Sequence, residues 1–170
     1  MYVETKRLLL KPIEKADLGS LVELLMDATV GETYMVPDFL DKTQAEKLAE
    51  RIMVLSEDPG RNVAGIFLKN QLIGLLNQTE VCGSSVEVGY AVLPQFHGQG
   101  YATEALTGAI EDFFAQGFQE VVAGAFENNA ASIRVMCKSG MTKLDRQEVI
   151  SYRGKDRLCL YYAVRKPANV

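Results

Sequence analysis

Apolar residues recur along this chain with two different periods, and the change of period predicts where helices and strands lie. Spacings of three and four residues predict one helix opened by Asp17 and another opened by a capping box of Thr43 and Glu46. Alternating or continuous apolar runs predict strands. These predicted strands cover residues 5–13, 62–68, 72–79, 86–93, 121–126 and 158–164, with one more strand just before the last.

Two further helices are predicted at residues 101–116 and 130–139, and each ends at a glycine. Residues 31–37 read as a loop. The full order, β-α-α-β-β-β-α-β-α-β-β, contains no repeat or linker. It predicts a single α/β domain over residues 1–170, with a mixed sheet. We expect that sheet to be antiparallel in its first half and parallel where a helix crosses over.

Composition and charge exclude several classes of function. The chain has 18 Lys and Arg against 22 Asp and Glu, a net charge of −4, so we expect no binding to nucleic acid, which needs a basic footprint. The longest apolar run has seven residues, and no signal-peptide core is present, so we expect a cytoplasmic protein without membrane contact. Three scattered cysteines and one histidine predict neither a disulfide framework nor a metal site.

A strand, a loop with two glycines and a helix follow one another over residues 89–104. Amide N–H groups at the start of a helix lack acceptors and lie at the positive end of the helix dipole, so they can bind an anion. Gly98 and Gly100 carry no Cβ that would keep a phosphate away from the backbone. The spacing matches neither the phosphate loop of nucleoside triphosphatases nor the dinucleotide fingerprint. The bare pattern is also that of a tight turn.

The stretch Pro94-Gln95-Phe96-His97-Gly98-Gln99-Gly100-Tyr101-Ala102 resembles the Gln/Arg-x-x-Gly-x-Gly/Ala signature of the GNAT N-acetyltransferase superfamily. Residues 4–10, 87–94, 127–134 and 138–141 resemble segments of its branch that acetylates the N-terminal amine of ribosomal proteins. The resemblance implies the GNAT fold, whose central sheet splays between the family's fourth and fifth strands and is flanked by helices. It also implies acetyl-CoA as co-substrate and an acetyl transfer to a primary amine, on a protein N-terminus or a small molecule.

The family's coenzyme contacts carry over to particular positions of this chain. The loop amides match those that hold the pyrophosphate, and Val92 and Leu93 lie where pantetheine pairs with the exposed strand edge. Asn129 and Ser132 match positions near the thiol end of the coenzyme. The implied coenzyme-binding residues are Val92, Leu93, Gln95, Gly98, Gln99, Gly100, Tyr101, Ala102, Thr103, Asn129 and Ser132.

Glu87 and Ser132 are the candidate catalytic residues. Attack of an amine on a thioester requires a base for the ammonium, a donor for the oxyanion and an acid for the departing thiolate. Glu87 is the candidate base, because on a strand it shares a face with Gly89 and Ala91. The alternative is a solvated or ion-paired carboxylate. A main-chain N–H near Val92 is the candidate oxyanion donor.

This chain departs from the family pattern at Met136, where many members carry a tyrosine acid. Ser132 is the candidate substitute, and its alternative is a helix cap or a coenzyme contact. His97 is expected to be a loop residue near the coenzyme and not a catalytic one. We expect the amine substrate to lie between the first two helices with residues 31–37 and the turn at residues 151–156.

The missing tyrosine also permits a function of another class, a catalytically silent module that binds acetyl-CoA as a sensor or as a partner-binding domain. A nucleotide-binding signalling domain is disfavoured, because no metal-binding acidic residue follows a loop lysine. The sequence leaves a homodimer open.

Overall fold

The computed structural model of this protein describes residues 1–168. An eight-stranded mixed sheet is covered by helices on both faces. The strands and helices are β1 (Val3–Glu4), β2 (Leu8–Lys11), α1 (Leu18–Met26), α2 (Ala28–Thr33), α3 (Lys42–Glu57), β3 (Val63–Leu68), β4 (Gln71–Cys82), β5 (Ser85–Val92), α4 (Tyr101–Ala115), β6 (Glu120–Phe126), α5 (Ala130–Lys138), β7 (Thr142–Tyr152) and β8 (Lys155–Arg165).

The strand order across the sheet is β1-β2-β3-β4-β5-β6-β8-β7. The pairs from β1 to β5 are antiparallel, β5 and β6 are parallel, and β8 pairs antiparallel with both β6 and β7. The parallel pair is the one joined through α4, as a crossover connection requires. This confirms the predicted mixed sheet, antiparallel in its first half and parallel at the crossover.

The sheet opens between β5 and β6. Their pairing begins at Ser85 with Glu120 and ends at Val88 with Ala123, so residues 89–92 of β5 have no strand partner on that edge in the described chain. These two strands are the fourth and fifth of the family pattern, because the first predicted strand is divided in two here. The expected splay of the sheet is therefore confirmed.

Three local predictions about the first third of the chain were wrong. One strand was predicted at residues 5–13, but the chain forms a hairpin of β1 and β2 there. In its turn, Thr5 N donates to Leu8 O at 2.9 Å. Helix α3 begins at Lys42 and its cap is Asp41, not Thr43. The Asp41 side chain accepts from Gln44 N, and Asp41 precedes Thr43 in the chain. Part of the predicted loop at residues 31–37 belongs to α2.

Asp17 occupies the predicted N-cap position of α1, but its side chain makes no bond to that helix. Its carboxylate accepts from Glu14 N at 2.9 Å, within a short 3₁₀ turn over Lys15–Asp17 that precedes α1. Helix α1 therefore begins without a side-chain cap.

The two faces of the sheet bury separate cores. Helix α4 packs Leu106 and Phe113 on one face, against residues that include Val88 and Tyr90 of β5. Helices α1 and α3 pack on the other face, which includes Ala91 of β5. Neighbouring residues of β5 thus face different layers, as the period of a strand dictates.

Candidate active site

The loop before α4 presents unpaired amides to solvent. Gly98 and Gly100 have positive φ angles of 74° and 81°, and both are exposed. Gly100 is the N-cap residue of α4 and receives no side-chain cap. The first amides of the helix therefore have no intrahelical acceptor and point outward at its positive end. A Cβ placed on Gly98 would meet nothing within 4 Å, so the approach to the backbone is open.

Arg7 adds a positive charge beside this loop, and sequence reasoning missed it. Its Nη1 donates to Gln99 O at 3.0 Å, and its guanidinium lies 4.5 Å from the centre of the Tyr101 ring. Its Nε forms an ion pair with Glu104 of α4 at 2.6 Å. These contacts span more than 90 residues of sequence, so no local pattern indicated them.

Glu104 joins the β1–β2 hairpin to the helix that carries the loop. It accepts from Thr5 Oγ1 at 2.7 Å and from Arg7 N at 2.7 Å. Partial burial opposes ionisation of this carboxylate, but its hydrogen bonds from Thr5 and Arg7 prevail, and the net pKa of Glu104 lies below its ordinary value.

We expect Glu104 to make stability depend on acidity. Because its pKa is lowered in the folded protein, its contribution is complete above the unfolded pKa and disappears as pH falls through the folded pKa. Glu104→Gln should therefore lower the Tm at neutral pH, and the difference from the parent should narrow on acidification. Thermal unfolding from about pH 7 to about pH 3 measures this. The exposed Glu111→Gln on the same helix is the control, and an equal difference at every pH would contradict the prediction.

The end of β5 directs polar backbone groups into the gap between β5 and β6. Leu93 N donates to Ile73 O at 2.8 Å, toward β4. Because consecutive residues of a strand direct their amides to opposite edges, the N–H and C=O of Val92 are directed to the free edge. His97 Nε2 donates to Val92 O at 2.7 Å, which braces the loop against the strand. The Val92 N–H is left facing the gap.

Helix α5 borders the gap on the other side. Asn129 is its N-cap residue, and its Oδ1 accepts from Ser132 N at 3.1 Å. The hydroxyl of Ser132 lies 2.9 Å from Tyr90 Oη, and Tyr90 Oη also lies 3.2 Å from Ser132 O. Burial raises the pKa of Tyr90 to about 12, although the hydrogen bond with Ser132 acts in the opposite direction. Met136 is fully buried in the core and offers no polar group at this place.

Glu87 lies on the opposite face of β5 from Tyr90. Its Oε2 accepts from Arg146 Nη1 at 3.1 Å, and its Oε1 lies 3.5 Å from Thr79 Oγ1. Arg146 also pairs with Glu148 at 2.9 Å. The carboxylate is about one-fifth exposed, so one of its oxygens is ion-paired while the other faces a weaker partner. The alternative of an ion-paired carboxylate is therefore observed at Oε2. Oε1 remains available to accept a proton.

A pocket of about 200 Å³ lies next to Thr79, the residue that separates it from Glu87. Its polar lining includes Thr79, which contacts Glu87, and Asn77, which pairs with Gly89 across the sheet. The Tyr34 hydroxyl donates to Asn77 Oδ1, and burial raises the pKa of Tyr34, so this donor stays protonated. The complete lining is Tyr34, Ile52, Leu55, Arg61, Val63, Leu75, Asn77, Gln78 and Thr79, in which Arg61 alone is charged.

The two segments expected to flank the amine substrate contact each other. Tyr152, at the end of β7, donates its hydroxyl to Gly31 O at 2.7 Å. Arg153 pairs with Asp38 at 2.8 Å, and Arg157 of β8 pairs with Glu32 at 2.9 Å. The β7–β8 turn therefore holds residues 31–38 in place, and with them the Tyr34 side chain that lines the pocket.

The candidate residues fall into two groups on either side of β5. The loop at residues 98–103, the end of β5 and the start of α5 surround the gap in the sheet. Glu87 and the pocket lie on the face that packs against α1 and α3. Glu87 and Ser132 therefore lie on opposite faces of the sheet.

Within residues 1–168, no helix is both long and apolar enough to span a membrane. Over the same residues, no three His, Cys, Asp or Glu side chains are grouped closely enough to hold a metal ion.

Comparison with known proteins establishes the family. Residues 7–142 match the acetyltransferase (GNAT) domain family. The chain belongs to this family. Two relatives from Bacillus subtilis strain 168 are similar to it along most of their length. The uncharacterized N-acetyltransferase YnaD is 26% identical over 155 residues, 84% of each chain, and YoaA is 25% identical over 146 residues, 83% of this chain and 82% of its own.

Solved structures agree with this fold. A GNAT acetyltransferase from Bacillus anthracis superposes with a TM-score of 0.83 at 22% identity, over 97% of this chain and 98% of its own. RimL, a ribosomal L7/L12 alpha-N-protein acetyltransferase in complex with coenzyme A, superposes with a TM-score of 0.84 at 18% identity, over 97% of this chain and 98% of its own. The microcin C7 self-immunity acetyltransferase MccE, in complex with acetyl-CoA and AMP, superposes with a TM-score of 0.81 at 16% identity, over 95% of this chain and 93% of its own. The resemblance and the GNAT fold inferred from the sequence are confirmed.

Membership in this family also defines the type of reaction. A GNAT protein transfers an acetyl group to an amine, and both Bacillus subtilis relatives are named N-acetyltransferases. The expectation of an acetyl-CoA-dependent acyltransferase is therefore confirmed.

Proposed function

We propose that this protein acetylates the N-terminal α-amine of a peptide or protein, using acetyl-CoA, and that the whole chain acts as one domain. The observation that carries the acetyl-CoA part of the proposal is the position of the exposed loop with Gly98 and Gly100, directly beside the free edge of β5. An anion-binding loop that continues into an unpaired strand edge suits a ligand with phosphates at one end and amide groups further along.

We assign the coenzyme contacts by this geometry. The amides of residues 98–103 would hold the pyrophosphate, with Gln95, whose carbonyl accepts from Gln99 Nε2, maintaining the loop. The free edge of β5 at Val92 would face the pantetheine, whose far end would approach Asn129 and Ser132. Leu93, which was also expected to pair with pantetheine, has no free backbone group, because its N–H donates to Ile73 O and its C=O accepts from Phe96 N. Bound in this way, the coenzyme supplies the acetyl thioester.

The remaining roles belong to Glu87 and to groups around the gap. Glu87 would accept the proton of the acceptor ammonium through its less strongly bonded oxygen Oε1. The Val92 N–H, directed into the gap, would donate to the developing oxyanion. The Ser132 hydroxyl would donate to the sulfur that departs.

The pocket next to Thr79 favours an acceptor whose first side chain is small and neutral or acidic. Its polar lining consists of hydroxyl and amide groups, and Arg61 supplies its positive charge. Asp58 Oδ2 lies 3.9 Å from Arg61 Nε at the surface, but no carboxylate belongs to the lining itself, so a cationic side chain would find no partner inside the pocket. RimL, which shares this fold, is named an alpha-N-protein acetyltransferase. This name supports the proposal that the acceptor is a peptide α-amine.

We expect acetyl-CoA to bind and to stabilise the protein. At 100 times its Kd, a ligand adds roughly 2.7 kcal/mol to the free energy of unfolding, which a thermal shift detects readily. Release of free CoA thiol should then require an acceptor. Peptides that begin with Ser or Glu should be better acceptors than a peptide that begins with Lys, and serine amide tests a small-molecule amine with the same head group.

The outcomes separate the candidate functions. No binding at millimolar acetyl-CoA would exclude the proposal altogether. Binding without thiol release for any amine would favour the silent coenzyme-binding module, which the buried Met136 at the family's tyrosine position permits. Equal turnover with serine amide and with the Ser peptide would indicate that the acceptor is a small amine and not a peptide.

A further inference from the structure

We propose that Tyr90 is a positioning residue for Ser132, whose hydroxyl it directs toward the departing sulfur. This inference rests on the proposed function, in which Ser132 faces the thiol end of the coenzyme. Tyr90 and Ser132 are 42 positions apart, so no local sequence pattern connects them.

The position of Tyr90 on β5 is the first support. It lies in the stretch of β5 that is not paired with β6, and its hydroxyl contacts Ser132 at the start of α5. Its ring packs against the core under α4, and its hydroxyl reaches both the backbone and the side chain of Ser132. Tyr90 thus links the two sides of the gap.

The distribution of hydrogens between the two hydroxyls is the second support. If Tyr90 Oη donates to Ser132 O, Ser132 directs its own proton back to Tyr90. If Tyr90 Oη donates to Ser132 Oγ, the proton of Ser132 becomes free for another acceptor. A negative charge on the sulfur in the gap favours the second arrangement. Rotation of two O–H bonds is then enough to present a donor to the departing group.

Tyr90 donates a hydrogen bond in this arrangement and loses no proton. Burial raises the pKa of its hydroxyl to about 12, so the phenol remains neutral over the pH range in which an amine acceptor reacts. A lone serine can turn among three staggered rotamers, whereas a serine held by a neighbouring hydroxyl is restricted. The hydroxyls of Tyr90 and Ser132 are two weak donors already held in position. Together they can take the role of the tyrosine acid that many family members carry where this chain has Met136.

Tyr90→Phe tests this role because it removes one oxygen and keeps the packed ring. We expect kcat to fall roughly tenfold, as for one hydrogen bond to a charged group, with the KM for acetyl-CoA within about twofold of the parent. Ser132→Ala should lower kcat similarly, and the double variant should be little worse than either single one. Tyr162→Phe, which alters a buried tyrosine of β8 in the same core, should leave kcat unchanged.

A second measurement needs no acceptor. The ultraviolet absorbance of the CoA thiolate reports the pKa of the thiol in the bound coenzyme. We expect that pKa to lie below that of free CoA in the parent, and to return toward the free value in both Tyr90→Phe and Ser132→Ala.

Each failure has its own signature. A parent that releases no thiol with any amine refutes the proposed function, and the thiol titration still decides the role of Tyr90. An unchanged thiol pKa in Tyr90→Phe overturns the inference. So does a kcat within about twofold of the parent, or losses that add fully in the double variant, since Tyr90 would then act without Ser132.

Discussion

Gly100→Val is expected to lower the affinity for acetyl-CoA by roughly 10- to 100-fold. The φ angle of Gly100 is +81°, a conformation in which a β-branched residue is strained by about 1–3 kcal/mol. A Cβ there would lie 3.5 Å from Arg7 Nη2, which is an ordinary contact, so the cost arises from the backbone and not from a clash. Relaxation of that strain would turn the loop amides away from the position that binds phosphate, and each 1.4 kcal/mol lost is a tenfold change in Kd.

Calorimetric titration with acetyl-CoA, alongside a thermal unfolding curve, measures this effect. Gly83→Val is the matched control, because Gly83 also has a positive φ of 59° and open space around it but lies at the other end of β5. Both variants should lose similar stability, whereas Gly100→Val alone should lose coenzyme affinity. If the two variants bind acetyl-CoA equally well, the loop is a turn and not a phosphate site.

The loop could be predicted from sequence because its causes are local. Gly98 and Gly100 next to a helical apolar pattern indicate a turn, a helix start and a set of free amides within a few residues. The apolar periods likewise placed the later helices to within one residue of their observed ends. Errors arose where several local signals competed, as at Asp41 and Thr43, which can both cap a helix.

The partners of the candidate site residues could not be predicted in this way. Glu87 was assigned to a face of its strand by the period of two, but Arg146, 59 positions away, is brought to it by the order of strands in the sheet. Tyr90, in the unpaired stretch of β5, likewise meets Ser132 of α5, 42 positions away. Contacts of this kind follow from sheet topology, which the period of a single segment does not encode.

Glu87→Gln is expected to lower kcat by about 10²-fold with an affinity for acetyl-CoA close to that of the parent. Glutamine keeps the shape of the side chain and its reach toward Thr79 and Arg146, but it cannot take a proton from the acceptor. Loss of the ion pair with Arg146 will also lower stability somewhat, so turnover has to be expressed per folded molecule.

Glu148→Gln separates these two effects. Glu148 pairs with the same guanidinium at 2.9 Å, and its replacement removes an ion pair from Arg146 without touching the candidate base. A purely structural Glu87 would make the two variants alike, with reduced Tm and unchanged kcat. A catalytic Glu87 predicts a similar loss of stability in both and a loss of kcat in Glu87→Gln alone.

The pH dependence of the defect identifies the acceptor as well as the base. An α-amine has a pKa near 8 and a lysine side chain near 10.4, and an acceptor that is already neutral needs no base. With the Ser peptide, the defect of Glu87→Gln should therefore be full at about pH 6 and fade above about pH 8. Steady-state kinetics between about pH 6 and 9.5 show this directly. A defect that persists unchanged to the alkaline end would assign Glu87 to binding of the acceptor, while a normal kcat at the acidic end would remove it from the mechanism.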